Sequence, residues 1–171
     1  QHSGSRFGVR GSEDLAGGTY AMYQIEFDIT ADTGATSAAG MTQRLTFVGL
    51  GSKAWGELTL GRQYTHTFHT FAVGSASGYG TFTSAYNAMG AQGTNILTRA
   101  SNSLKYSSPN MGGFSVGALW APGEDTTAGS SSNGDYMDVA VRFTPGPFGV
   151  SASWARGTVE APLGRDANNR L

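Results

Sequence analysis

The sequence predicts an all-β fold, an antiparallel β-barrel built to cross a membrane, and three observations carry that expectation. Eight short stretches alternate apolar and polar residues, the period of a strand with two unlike faces. The links between the stretches alternate between short and long, the layout of a meander with tight turns at one end and long loops at the other. No apolar run approaches the length of a membrane-spanning helix. The mean hydropathy of −0.24 suits a wall in which only every second strand residue meets lipid.

The stretches are residues 5–11, 19–29, 42–50, 56–65, 101–107, 113–121, 135–144 and 149–158. The first sets Phe7 and Val9 against Arg6 and Arg10. In the second, Ala21, Tyr23, Ile25, Phe27 and Ile29 oppose Tyr20, Met22, Gln24, Glu26 and Asp28. The third brings Arg44. In the fourth, Leu58, Leu60 and Arg62 share one parity, so either a bulge at Gly61 re-aims Arg62 or that face does not meet lipid. In the fifth, Leu104 and Tyr106 oppose Ser101, Ser103 and Lys105, and counting back sets Arg99 on the polar side. The sixth aligns Phe114, Val116, Ala118 and Trp120. The seventh opposes Met137, Val139, Val141 and Phe143 to Asp138, Ala140 and Arg142, and the eighth ends the series.

Tyr20, Phe27, Tyr106, Trp120, Tyr136 and Trp154 fall near strand ends, where the aromatic girdles of a membrane barrel lie. A basic side chain on the lipid face near the midplane costs about 2–4 kcal/mol, so the arginines of the polar face are expected to line water. The alternative on pattern alone is a soluble β-sandwich or small barrel with its apolar face inward.

Composition excludes several classes. The chain has 171 residues and a formal net charge of −1, so nothing points to a nucleic-acid surface and no nucleic-acid partner is expected. The absence of cysteine removes disulfides, thiolate metal sites and cysteine nucleophiles together. The opening QHSGSRFG has no basic region followed by an apolar one, so a signal peptide is expected to be absent or already removed. Gly113-Phe-Ser-Val-Gly117 matches a nucleophile elbow, but ALWAPGED after it continues a strand where a helix is required. The glycine pattern from Gly49 to Ala54 is likewise followed by a strand. His66 and His69 could share a metal but lack a third ligand, and GEDTTAGSSSNGD suits a solvated loop better than a calcium site. Catalysis has no visible carrier, and no cofactor or metal is expected.

The link 66–100 is about 35 residues, too long for an idle hairpin loop. It is rich in Gly, Ser, Thr and aromatics and holds no Asp or Glu. If it folds inward, Arg6, Arg44, Arg62 and Arg99 face a constriction with little negative charge, and rings of arginine favour anions. For each arginine the alternative is a solvated residue paired with a nearby carboxylate. Arg10, Lys105, Arg142 and Asp138 are expected as further lumen-facing groups.

SRFGVRGSEDLAGG, then QRLTFVGLGSKAWGELTLGRQYT, then RASNSLKYSSPNMGGFSVGALW resemble, in the same order, the general trimeric porins of Gram-negative bacteria. The likeness is greatest to the β-proteobacterial type, some of which are anion-selective. The resemblance runs from about Ser5 to Trp154. It implies a sixteen-stranded barrel in the outer membrane, a homotrimer amid lipid and lipopolysaccharide, and a third external loop, here 66–100, folded inward. It implies a wall arginine cluster at Arg6, Arg62 and Arg99, with Arg44 at a further basic position of the anion-selective members. The acidic residues usual on the inward loop have no counterpart here. The implied function is passive diffusion of small anionic or neutral solutes; the alternative is a non-conducting barrel acting as adhesin or envelope scaffold. Two features lead us to expect part of a larger barrel. The visible meander starts on the long-loop side, and an eight-stranded barrel is filled by its own side chains.

Overall fold

The structure, a computed structural model, describes residues 5–30, 33–35, 43–73, 97–123 and 134–157. Its strands are β1 (Ser5–Asp14), β2 (Thr19–Ile29), β3 (Gln43–Ser52), β4 (Gly56–Tyr64), β5 (Arg99–Ser107), β6 (Phe114–Ala121), β7 (Tyr136–Phe143) and β8 (Val150–Gly157). They form one antiparallel sheet in sequence order from β1 to β8. Among the described residues a helix, α1 (His66–Val73), follows β4 and packs against β6, β7 and β8.

The alternation builds two unlike faces. Val9, Val48, Leu60, Trp120, Val139 and Trp154 stand exposed on the face away from α1. The opposite face holds buried Thr59, Gln63, Ser103 and Asp138. A soluble sandwich would do the reverse, because burying a Val or Leu side chain is worth about 1.5–3 kcal/mol in water. A bare apolar face over a sheltered polar one is the pattern of a transmembrane β-barrel wall.

Several strands run beyond their expected ends. Ser12, Glu13 and Asp14 stay in the ladder opposite Met22, Ala21 and Tyr20, which shortens the first turn. Asp14 closes that turn by accepting the Ala16 N–H at 2.8 Å, while Ala16, Gly17 and Gly18 take positive φ. Asn110 does the same in the β5–β6 turn, accepting the Gly113 N–H at 2.6 Å.

Two β-bulges interrupt the beat. Glu26 pairs with Leu45 and Phe27 with Gln43, so Arg44 is an extra residue on β3. Gly61 pairs with Ser103 and Gln63 with Ala100, so Arg62 alone opposes both Ser101 and Asn102. Of the two alternatives for Arg62, the structure has a bulge, but on the partner strand opposite Gly61 and Gln63, where Asn102 adopts φ 52°. Gly61 beside it takes φ 130°, and a Cβ there would overlap the Thr46 carbonyl oxygen.

Ala100, Leu119, Ala121 and Tyr136 form a small apolar cluster, with Ala155 packed on it. Two expected girdle aromatics belong elsewhere. Tyr136 is 1% exposed within that cluster, and Tyr20 turns to the polar face, donating its hydroxyl to Glu57 at 2.9 Å. Both sit on the inner parity of their strands, and parity outweighs nearness to a strand end.

Candidate functional site

The first turn of α1 is fixed to the wall at two points. A helix start leaves four backbone N–H groups without intrahelical partners. Thr65 supplies one N-cap acceptor, its Oγ1 taking the Phe68 N–H at 3.1 Å. Asp138 of β7 supplies another, its Oδ2 taking the Thr67 N–H at 2.9 Å. Asp138 lies on the polar face as a fully buried helix cap.

His66 rests on the sheet, with Nε2 at 2.8 Å from the Tyr106 carbonyl oxygen. Gly117 makes room for it, since a Cβ there would overlap the imidazole. Burial, reinforced by the charge of Lys105, pulls the His66 pKa down to about 4. The same two causes bring His69 to about 3. Both rings are neutral at pH 7. Among the described residues no cluster of three or more metal-ligating side chains occurs.

Next to the helix start lies Tyr64, which gathers two of the arginines. Its hydroxyl accepts from Arg44 Nη2 at 2.8 Å and from Arg99 Nη2 at 3.1 Å. The Arg99 guanidinium also lies over the Tyr64 ring, 4.7 Å from its centroid, within cation–π range. The same ring stacks on Phe68 of α1 with centroids 5.0 Å apart and meets His69 edge-on at 5.4 Å. Tyr64 opposes Arg99 in the β4–β5 register, which is why the two side chains meet.

The arginines differ in what surrounds them. Arg44 is 9% exposed and ion-paired with Glu26 through Nε at 2.8 Å and with Asp28 through Nη1 at 2.7 Å. For Arg44, pairing with nearby carboxylates is the arrangement the chain adopts. Arg62 donates to Ser101 Oγ at 2.7 Å and feels the charge of Arg99. Arg6 and Arg10 lie on β1, exposed, and share a cleft with Gln24 and Glu26. Lys105 donates from Nζ to the Tyr64 carbonyl oxygen at 2.9 Å. Arg142 lines a separate cleft beneath α1.

So Arg44 and Arg99 are brought together at Tyr64, Arg62 lies within reach of the charge of Arg99, and Arg6 lines the β1–β2 cleft. The bulge at Ser101 and Asn102 breaks the parity count used for Arg99; Ala100 takes the inward place, and Arg99 reaches the cluster through its pairing with Tyr64. Sequence reasoning passed over Tyr64, Thr65 and the acids Glu26 and Asp28. The two acids were visible on the polar face. Thr65 lacked the Glu or Gln three residues on that marks a capping box. Tyr64 gave no signal, because register creates its role. The remainder of the long link, residues 74–96, lies outside the described residues.

The family model described as Gram-negative porin matches residues 1–169. Outer membrane porin protein 32 of Delftia acidovorans is 35% identical over 159 residues, which cover 90% of this chain and 45% of that protein. An outer membrane porin protein of Bordetella pertussis is 31% identical, covering 89% and 42%. Among solved structures, an anion-selective porin from Comamonas acidovorans superposes with a TM-score of 0.66 at 27% identity, covering 92% and 49%. The chain spans about half the length of the relatives it matches.

Proposed function

Because this chain belongs to the Gram-negative porin family of the bacterial outer membrane, we propose that it supplies wall and constriction to a passive diffusion channel. Porins are channels rather than enzymes, and the solutes proposed are small, hydrophilic, and anionic or neutral. The partners proposed are two further copies of the chain and a bilayer bearing lipopolysaccharide. Segment 66–100 is the proposed constriction, with α1 as its first part.

One observation carries the reading. Arg99 and Arg44 converge on Tyr64 at the start of a helix that packs on the polar face, with Arg62 alongside. Guanidinium groups hold their charge at any physiological pH, and cationic rings favour anions. The anion-selective Comamonas porin supports the same sign. Arg99, Arg62 and Arg6 carry the net positive charge in this reading; Arg44 acts by neutralising Glu26 and Asp28.

Reversal potentials of the full-length protein, reconstituted in planar bilayers under a salt gradient, test this. Anion preference is expected, with Arg99→Gln and Arg62→Gln each moving the potential toward zero. Cation preference that survives both changes overturns the arginine mechanism. Absence of any conductance overturns the channel and leaves the non-conducting scaffold.

A further inference from the structure

A cleft of about 310 Å³ opens between α1 and strands β5, β6 and β7, on the polar side of the sheet. Lys105, Arg142, His66, His69, Ser107 and Ser115 are among the residues that line it, and none of the described lining residues is a carboxylate. Both cations act on both imidazoles, disfavouring their protonation. The acids that act on Lys105 are Asp138 and Glu57. Each already holds another donor, Asp138 the Thr67 N–H and Glu57 the Tyr20 hydroxyl.

The cations themselves are under-used. An ammonium has three donors, and Lys105 gives one to the Tyr64 carbonyl oxygen. Arg142 has five and has no hydrogen-bond or ion-pair partner among the described residues. Lys105 and Arg142 line one cleft that no described carboxylate lines, so an anion bound there would meet two cations at once. Charge-assisted hydrogen bonds from arginine to planar or tetrahedral oxyanions are the strong ones.

We propose that this cleft is a binding subsite for a small oxyanion, with the charge held by Arg142 and Lys105 and the oxygens oriented by the hydroxyls of Ser107 and Ser115. It shares no lining residue with the Arg44–Tyr64–Arg99 group. The inference depends on the channel reading only for the ligand's route in from the pore; binding itself is readable without conduction.

Titration calorimetry of inorganic phosphate into the full-length protein in detergent tests it. The wild type is expected to bind, and Arg142→Gln to weaken binding about tenfold. Arg142→Lys is expected to restore much of the loss, and Arg156→Gln, on the exposed outer parity of β8, to leave binding unchanged. Because Lys105 is tied to the backbone, the second readout is spectroscopic: phosphate is expected to shift the imidazole resonances of His66 and His69. Failure of the wild type to bind overturns the subsite. So does unchanged affinity in Arg142→Gln, or binding lost with Arg99→Gln but kept in Arg142→Gln. A protein that binds phosphate here yet never conducts keeps the subsite and loses the channel.

Discussion

Asp138 on β7 accepts the backbone N–H of Thr67 at 2.9 Å, although 71 positions separate them in the chain. The carboxylate meets the positive end of the helix dipole and satisfies a donor that would otherwise be buried without a partner. Together with the Thr65 hydroxyl, this strand residue sets where α1 begins on the wall.

Asp138→Ala strands that N–H in a buried site, which costs about 1–3 kcal/mol. We expect a lower thermal midpoint in circular dichroism and noisier single-channel current, as the start of α1 loosens. Asp138→Asn keeps a carbonyl oxygen and is expected to lose less. Equal stability of Asp138→Ala and wild type would show that Thr65 caps the helix alone.

Arg44→Gln is expected to do more than remove a positive charge. It leaves Glu26 and Asp28 facing each other without their cation, and breaking a buried pair from one side costs about 3–5 kcal/mol; the partial exposure of Asp28 puts this case at or below the lower end. Reversal potentials should move toward cations, farther than for Arg62→Gln. Glu26→Gln together with Asp28→Asn should move them the opposite way. A shift equal to that of Arg62→Gln would mean that the two acids do not reach the permeating ion.

Acid should release α1. His66 and His69 lie at about 4 and about 3, below the usual 6.5, so the unfolded or detached segment binds more protons than the packed one. The stability these rings contribute is fully present above pH 6.5 and is lost as pH falls toward 4 for His66 and 3 for His69. Wild-type thermal stability is expected to decline over that window, with a slope approaching two protons. The His66→Gln, His69→Gln double variant should show a flatter profile, and an identical slope in both proteins would discard the histidines as the cause.

Gly117→Ala drives a methyl into the His66 ring. The ring is the far end of a side chain and can swing, so the damage falls on its contact with the Tyr106 carbonyl rather than on the sheet. Overpacking of this kind costs about 1–3 kcal/mol. Faster amide exchange confined to the first turn of α1 is the expected sign; exchange spread evenly over β6 would instead mean that the strand yields.

The sheet was legible because its period is 2 and its two faces differ so strongly. Phe7, Val9, Val139 and Trp154 announce the outer face, and Glu26, Ser103 and Asp138 the inner one, without any knowledge of the fold. What could not be read was everything that depends on register. The Arg44 group needs Glu26 and Asp28 on a neighbouring strand, and Tyr64 matters only because it faces Arg99 across the ladder. The aromatic signal misled at Tyr20 and Tyr136, whose positions near strand ends suggested an interface that their parity denies them. The helix at His66 went unread for a related reason: its cap comes partly from β7, a contact that no local motif encodes.

The bulge formed by Ser101 and Asn102 makes this part of the wall sensitive to counting more than to chemistry. One residue more on β5 than on β4 is what turns Ala100 inward to join Leu119, Ala121 and Tyr136. Losing Asn102 would restore a plain ladder and rotate Ala100 to the lipid side, leaving the floor beneath α1 open. A one-residue deletion here should therefore do more harm than any side-chain exchange at the same place, since what the position supplies is length.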